Sequence, residues 1–79
     1  MAFYVKLNKI SENESAVQYS FETDPARLGV MELSKSNGES KLVQPMPGDE
    51  SLHCYTRAAV KVRREWSEGR LPQALEWAS

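Results

Sequence analysis

From Phe3 onward, apolar and polar residues alternate. Phe3, Val5 and Leu7 share one parity, with Tyr4, Lys6 and Asn8 between them. Val17, Tyr19 and Phe21 repeat the pattern around Gln18, Ser20 and Glu22. A β-strand sends successive side chains to opposite faces, so a period of two in separate stretches specifies a sheet with one buried face. That face needs a cover, and the other stays open.

The cover is legible downstream. After Pro47-Gly48 the period turns helical, with Leu52, Tyr55, Ala59, Val62 and Trp66 at steps of three and four. This spacing lines up one apolar stripe on a helix. Asp49 suits its N-cap, Glu50 the positive end of its dipole, and Gly69 its stop.

Four strands precede it, over about Phe3 to Ile10, Ser15 to Thr23, Leu28 to Lys35 and Glu39 to Gln44. A turn at Ser11-Glu12-Asn13 sets Leu7 opposite Val17, Val5 opposite Tyr19 and Phe3 opposite Phe21. Asp24-Pro25 interrupts the ladder, because proline offers no N–H. Asn37-Gly38 suits a two-residue type I′ turn, which sets Leu33 opposite Leu42, Met31 opposite Gln44 and Glu32 opposite Val43. Leu71-Pro72 reads as the start of a short helical turn, with Leu75 and Trp77 covering one end of the core. The expected fold is α+β: a four-stranded antiparallel β-meander, one long C-terminal α-helix packed across one face, then a short C-terminal helical turn, in one domain of residues 1–79.

Composition narrows the function. The 79 residues are 41% hydrophobic and 27% charged, as in an ordinary globular chain. No apolar run approaches the roughly 18 residues of a membrane span, so no membrane association is expected. The first residues lack the basic and apolar regions of a secretory signal, and Cys54 is the single cysteine, which together point to the cytoplasm. A net charge of −1 argues against a general nucleic-acid binder and against a strongly acidic mimic of one.

No catalytic residue, metal site or cofactor is expected. His53-Cys54 is the one pair that hints at catalysis, but adjacent helical residues point about 100° apart. Cys54 then packs as a small hydrophobe and His53 sits at the surface. One histidine and one cysteine fall short of a zinc shell, and no Gly-rich loop runs from a strand into a helix to cradle phosphate.

Three surfaces remain for binding. Arg57, Lys61 and Arg64, with Arg63 beside them, form a basic strip expected on the helix face away from the sheet. It suits phosphates or an acidic protein patch, or is simply a solvated face eased by Glu65 and Glu68. The open sheet face should carry Tyr4, Lys6, Gln18, Glu22, Val30, Glu32, Lys41 and Val43. Its mixed charge and lone aromatic fit protein better than RNA. The outer strands of the meander are the third surface. Lys41 and Pro45 guard the fourth strand, whereas the first has fewer guards, so a homodimer through it is an expectation. The resulting reading is a non-enzymatic interaction protein of adaptor, inhibitor or immunity type with a protein partner. A nucleic-acid-associated protein using the Arg57/Lys61/Arg64 strip is the alternative.

Overall fold

The computed structural model describes residues 4–24 and 27–78. Its elements are β1 (Tyr4–Glu12), β2 (Ala16–Asp24), β3 (Arg27–Ser34), β4 (Ser40–Gln44), α1 (His53–Ser67) and β5 (Ala74–Ala78). The strands make one sheet in the order β4-β3-β2-β1-β5, with every neighbouring pair antiparallel. α1 lies across one face and touches all five strands. The α+β class and the helix-covered antiparallel sheet are as expected.

The strand count is corrected from four to five, and the expected C-terminal helical turn is strand β5. Leu75 pairs with Leu7 and Trp77 with Val5, which sets both on the buried face. The Lys9 N–H donates to the Gln73 carbonyl at 2.8 Å and begins the ladder. Pro72 thus precedes a strand and starts no helix, because the period of Leu75 and Trp77 is two. One consequence reaches the expected dimer surface: β1 is interior, and the sheet edges are β4 and β5.

Both hairpin registers also differ from expectation. Leu7 pairs with Phe21, and Glu12 pairs with Val17. The turn forms later in the chain, where the Asn13 Oδ1 accepts from the N–H groups of Ser15 and Ala16 at 2.8 and 2.9 Å. This side-chain mimic of a backbone turn moves the register by five positions at Glu12, and a bulge between Lys9 and Ser11 takes back one, leaving a shift of four at Leu7. An even slip keeps Val5 and Leu7 on the expected face. Phe3 lies outside the described residues. In the second hairpin, Met31 pairs with Leu42, Glu32 with Lys41 and Leu33 with Ser40. Gly38 has φ +76°, but Asn37 stays at negative φ, so the turn is not type I′. A four-residue loop, Lys35 to Gly38, closes on hydrogen bonds from Ser34 N–H to the Glu39 carbonyl and from Gly38 N–H to the Ser34 carbonyl, both 2.8 Å. Asp24 and Arg27 are strand partners, and Pro25 between them lies outside the described residues.

The core joins Val5, Leu7, Val17, Tyr19, Phe21, Met31 and Leu33 of the sheet to Cys54, Ala58 and Val62 of α1. The helix stripe is therefore rotated from the expected one. Leu52 is left-handed at φ 59°, lies just before the helix and stays 40% exposed. Tyr55, Ala59 and Trp66 flank the buried line instead of defining it. The Phe21 ring of the sheet lies 6.2 Å from that of Tyr55, tilted at 48°. Asp49 caps the helix from outside: its carboxylate accepts from the N–H groups of Cys54 and Tyr55, both at 3.0 Å. At the other end, Gly69 N–H donates to the Trp66 carbonyl and Arg70 N–H to that of Glu65. This pattern is a Schellman stop.

Candidate partner-binding surfaces

The sheet face opposite α1 is built in rows by the strand register. Lys6, Glu22, Leu28 and Glu76 form one row. Asn8, Ser20, Val30, Gln44 and Ala74 form the next, and Ser11, Gln18, Glu32 and Lys41 the third. The face therefore holds Tyr4, Lys6, Gln18, Glu22, Val30, Glu32 and Lys41 as expected. Val43 is the extra residue of a bulge in β4, 47% exposed and outside the regular pairing. Leu28, 44% exposed, belongs to the face although it was not singled out. Its parity with Val30 and Glu32 was the available signal. Glu76 and Ala74 arrive only with β5.

Polar groups on this face pair with one another. The Gln18 amide donates to Glu32 at 3.0 Å, and Lys41 approaches the same carboxylate at 3.3 Å. The Gln18 hydrogen bond is the larger reason that the Glu32 carboxyl lies below its usual range. At one corner the Tyr4 hydroxyl bonds the Glu76 carboxylate, which raises the tyrosine pKa. Tyr4 and Leu28 remain as half-exposed apolar points on the face, and Val43 stands at the bulge of its β4 edge.

The basic strip is divided. Arg57 is half-buried, and its guanidinium carbon sits 5.0 Å from the centroid of the Trp77 ring. Its Nε is buried and meets no hydrogen-bond acceptor. Lys61 approaches Glu65 at 3.8 Å. Glu65 itself faces the core side, where Arg70 bonds it at 3.1 Å and, with Lys61 and Arg64, holds its carboxyl below the usual range. Arg63 and Arg64 are exposed. The rotation of the stripe that buries Cys54 and Ala58 is what turns Arg57 towards Trp77 of β5.

Cys54 is buried, and burial first, then the neighbouring Asp49 charge, pushes its thiol pKa up. Nucleophilic cysteines have the opposite shift. Among the described residues no three His, Cys, Asp or Glu side chains converge as metal ligands. Asn13-Glu14-Ser15 has the Asn-x-Ser acceptor spacing for N-glycosylation; its turn engages the Asn13 Oδ1, whereas a glycan would be attached at Nδ2.

A groove of about 510 Å³ opens between the first turn and the end of α1, lined by Lys9, Glu12, Lys35, Trp66, Gly69 and Leu71. Its charges are mutually satisfied: Lys9 and Lys35 each hold one oxygen of Glu12 at 2.5 Å. Hydrogen bonds from Lys35 and then Lys9 hold the Glu12 carboxyl at about 2. Beneath it, burial and the charges of Glu12 and Glu65 push Tyr19 up to about 12, and its hydroxyl donates to the Pro72 carbonyl. No helix among the described residues is long and apolar enough to cross a membrane.

The fold and these surfaces define a small α+β domain with one helix-covered sheet face and one bare one. In comparison with known proteins, the chain matches no family model, no curated protein and no solved structure.

Proposed function

We propose that this chain is a non-enzymatic interaction protein that recognises a protein partner on its bare sheet face. The observation that carries the reading is the composition of that face. Half-exposed Tyr4 and Leu28, with Val43 at the β4 bulge on the rim, stand among charges of both signs, Lys6 and Lys41 against Glu22, Glu32 and Glu76. Apolar anchors ringed by mixed polar groups suit a protein surface. A phosphate backbone calls for one continuous positive field, and the face supplies none. The lone, buried Cys54 supports a reducing, cytoplasmic setting.

The test is affinity capture from native lysate with three tagged forms: wild type, Leu28→Glu on the face, and Val60→Glu on the outward side of α1. A stoichiometric protein that the wild type and Val60→Glu retain and Leu28→Glu loses supports the reading. Retention by Leu28→Glu, or recovery of nucleic acid alone, overturns it.

A further inference from the structure

The two edges of the sheet are treated differently. β4 carries Lys41, a bulge at Val43 and Pro45 just past its end. These are devices that stop another strand from adding. β5 has no proline, no lysine and no bulge in Ala74–Ala78. The Lys9–Gln73 hydrogen bond fixes which way its groups point. Gln73, Leu75 and Trp77 face β1, so by the alternation of an antiparallel ladder the N–H and C=O of Ala74 and Glu76 face outward. An apolar recess of about 260 Å³, lined by Lys6, Ala74, Leu75 and Glu76, runs beside them.

We infer that β5 pairs antiparallel with β5 of a second copy of this chain, across a two-fold axis between the two Leu75 residues. Alternative two-fold registers are distinguishable by charge. An axis at Glu76 would set two carboxylates directly opposite, a destabilising pair. An axis at Leu75 sets each Glu76 against the small Ala74 of the other copy, where the recess is open and Lys6 lines it. In that register Ala74 and Glu76 exchange backbone hydrogen bonds with their counterparts twice over, and Leu75 meets Leu75 on the helix side. The product is a ten-stranded sheet whose bare face runs unbroken through both copies. This assembly stands independently of the protein-partner reading, since a monomer could still present its face.

Sedimentation velocity of the full chain over micromolar to millimolar concentrations tests it, with circular dichroism to confirm folding. The wild type is expected to show a monomer–dimer equilibrium. Ala74→Pro deletes an N–H that points away from β1, so the fold is kept while one inter-copy donor per chain is lost. The association constant should fall by about tenfold or more. Ala74→Glu sets a carboxylate directly against Glu76 of the other copy and should also weaken association, whereas unchanged or tighter association would overturn the register. A wild type that stays monomeric throughout, or a folded Ala74→Pro variant that dimerises unchanged, overturns the pairing itself.

Discussion

Arg57 lies over the ring of Trp77 at 5.0 Å and so ties the middle of the helix to the last strand of the sheet. The arginine contributes through its stem and its face-on charge, while its buried Nε finds no acceptor. Truncation and replacement should therefore part company. Arg57→Ala removes the stack and its packing and should cost about 0.5–2 kcal/mol in urea unfolding. Arg57→Met keeps a long apolar stem and removes an unsatisfied buried donor, so its midpoint should lie nearer the wild type.

Asp49 sits three residues before the residue at the formal cap position, Leu52, which has no capping side chain. Its carboxylate alone supplies two first-turn N–H groups with acceptors. Asp49→Ala should lower stability by about 1–2 kcal/mol with the denaturant slope unchanged. A loss within a few tenths of a kcal/mol would show that the turn holds the helix start without the carboxylate.

Gly38 and Gly69 share a left-handed backbone, at φ +76° and +79°, but not their surroundings. A Cβ on Gly69 would meet open space, while one on Gly38 would lie 2.8 Å from Cε3 of Trp66, whose indole N–H also donates to the Lys35 carbonyl. Gly69→Ala should cost about 1 kcal/mol from conformation alone. Gly38→Ala should add about 1–3 kcal/mol of overpacking. Equal losses in thermal or urea melts would mean that Trp66 swings aside freely.

Glu12 supplies a pH signature. Its two lysine partners depress its folded-state pKa from the ordinary 4.5 to about 2. Between those values the unfolded chain holds the extra proton, so stability is present above the ordinary value and is lost as pH falls towards about 2. Glu12→Gln should therefore show a shallower decline than the wild type across that acid window, with the two curves offset but parallel at neutral pH. Identical acid limbs would mean that the lysines grip Glu12 too loosely to matter. Glu32 and Glu65, also held low, maintain the remaining slope.

The residues explain which parts of this architecture could be read in advance. Parity survives a change of register by an even number, so Val5, Leu7, Val17, Tyr19, Phe21, Met31 and Leu33 were assignable to the core although their partners were not. The register itself depended on how Asn13 and Asn37 used their side chains in turns, which dipeptide preference does not resolve. β5 was hidden for another reason. Five residues joined to a partner nearly seventy positions away carry little local signal, and Leu71-Pro72 imitates a helix start. The helix stripe was one position out because Leu52 took a left-handed conformation and left the helix. That displacement brought Arg57 to Trp77, whereas the Lys61–Glu65 pair is one helical turn apart and holds at any rotation.

The divided strip gives the last prediction. Arg63 and Arg64 are exposed, whereas Arg57 packs on Trp77 and Lys61 lies beside the buried Glu65. Charge reversal at the exposed pair, Arg63→Glu with Arg64→Glu, should leave unfolding within about 0.5 kcal/mol per site of the wild type. Reversal at Arg57 or Lys61 should cost more, because a carboxylate would then meet the Trp77 ring or the Glu65 charge. Loss of a packed cation and loss of a solvated one are thereby separated on one helix. The same variants examine phosphate binding. If the exterior of α1 is a solvated face, the wild type should elute from a DNA column at low salt, and Arg63→Glu with Arg64→Glu should elute with it. Salt-sensitive retention of the wild type, abolished by that double reversal, would instead make the outward half of the strip a phosphate contact.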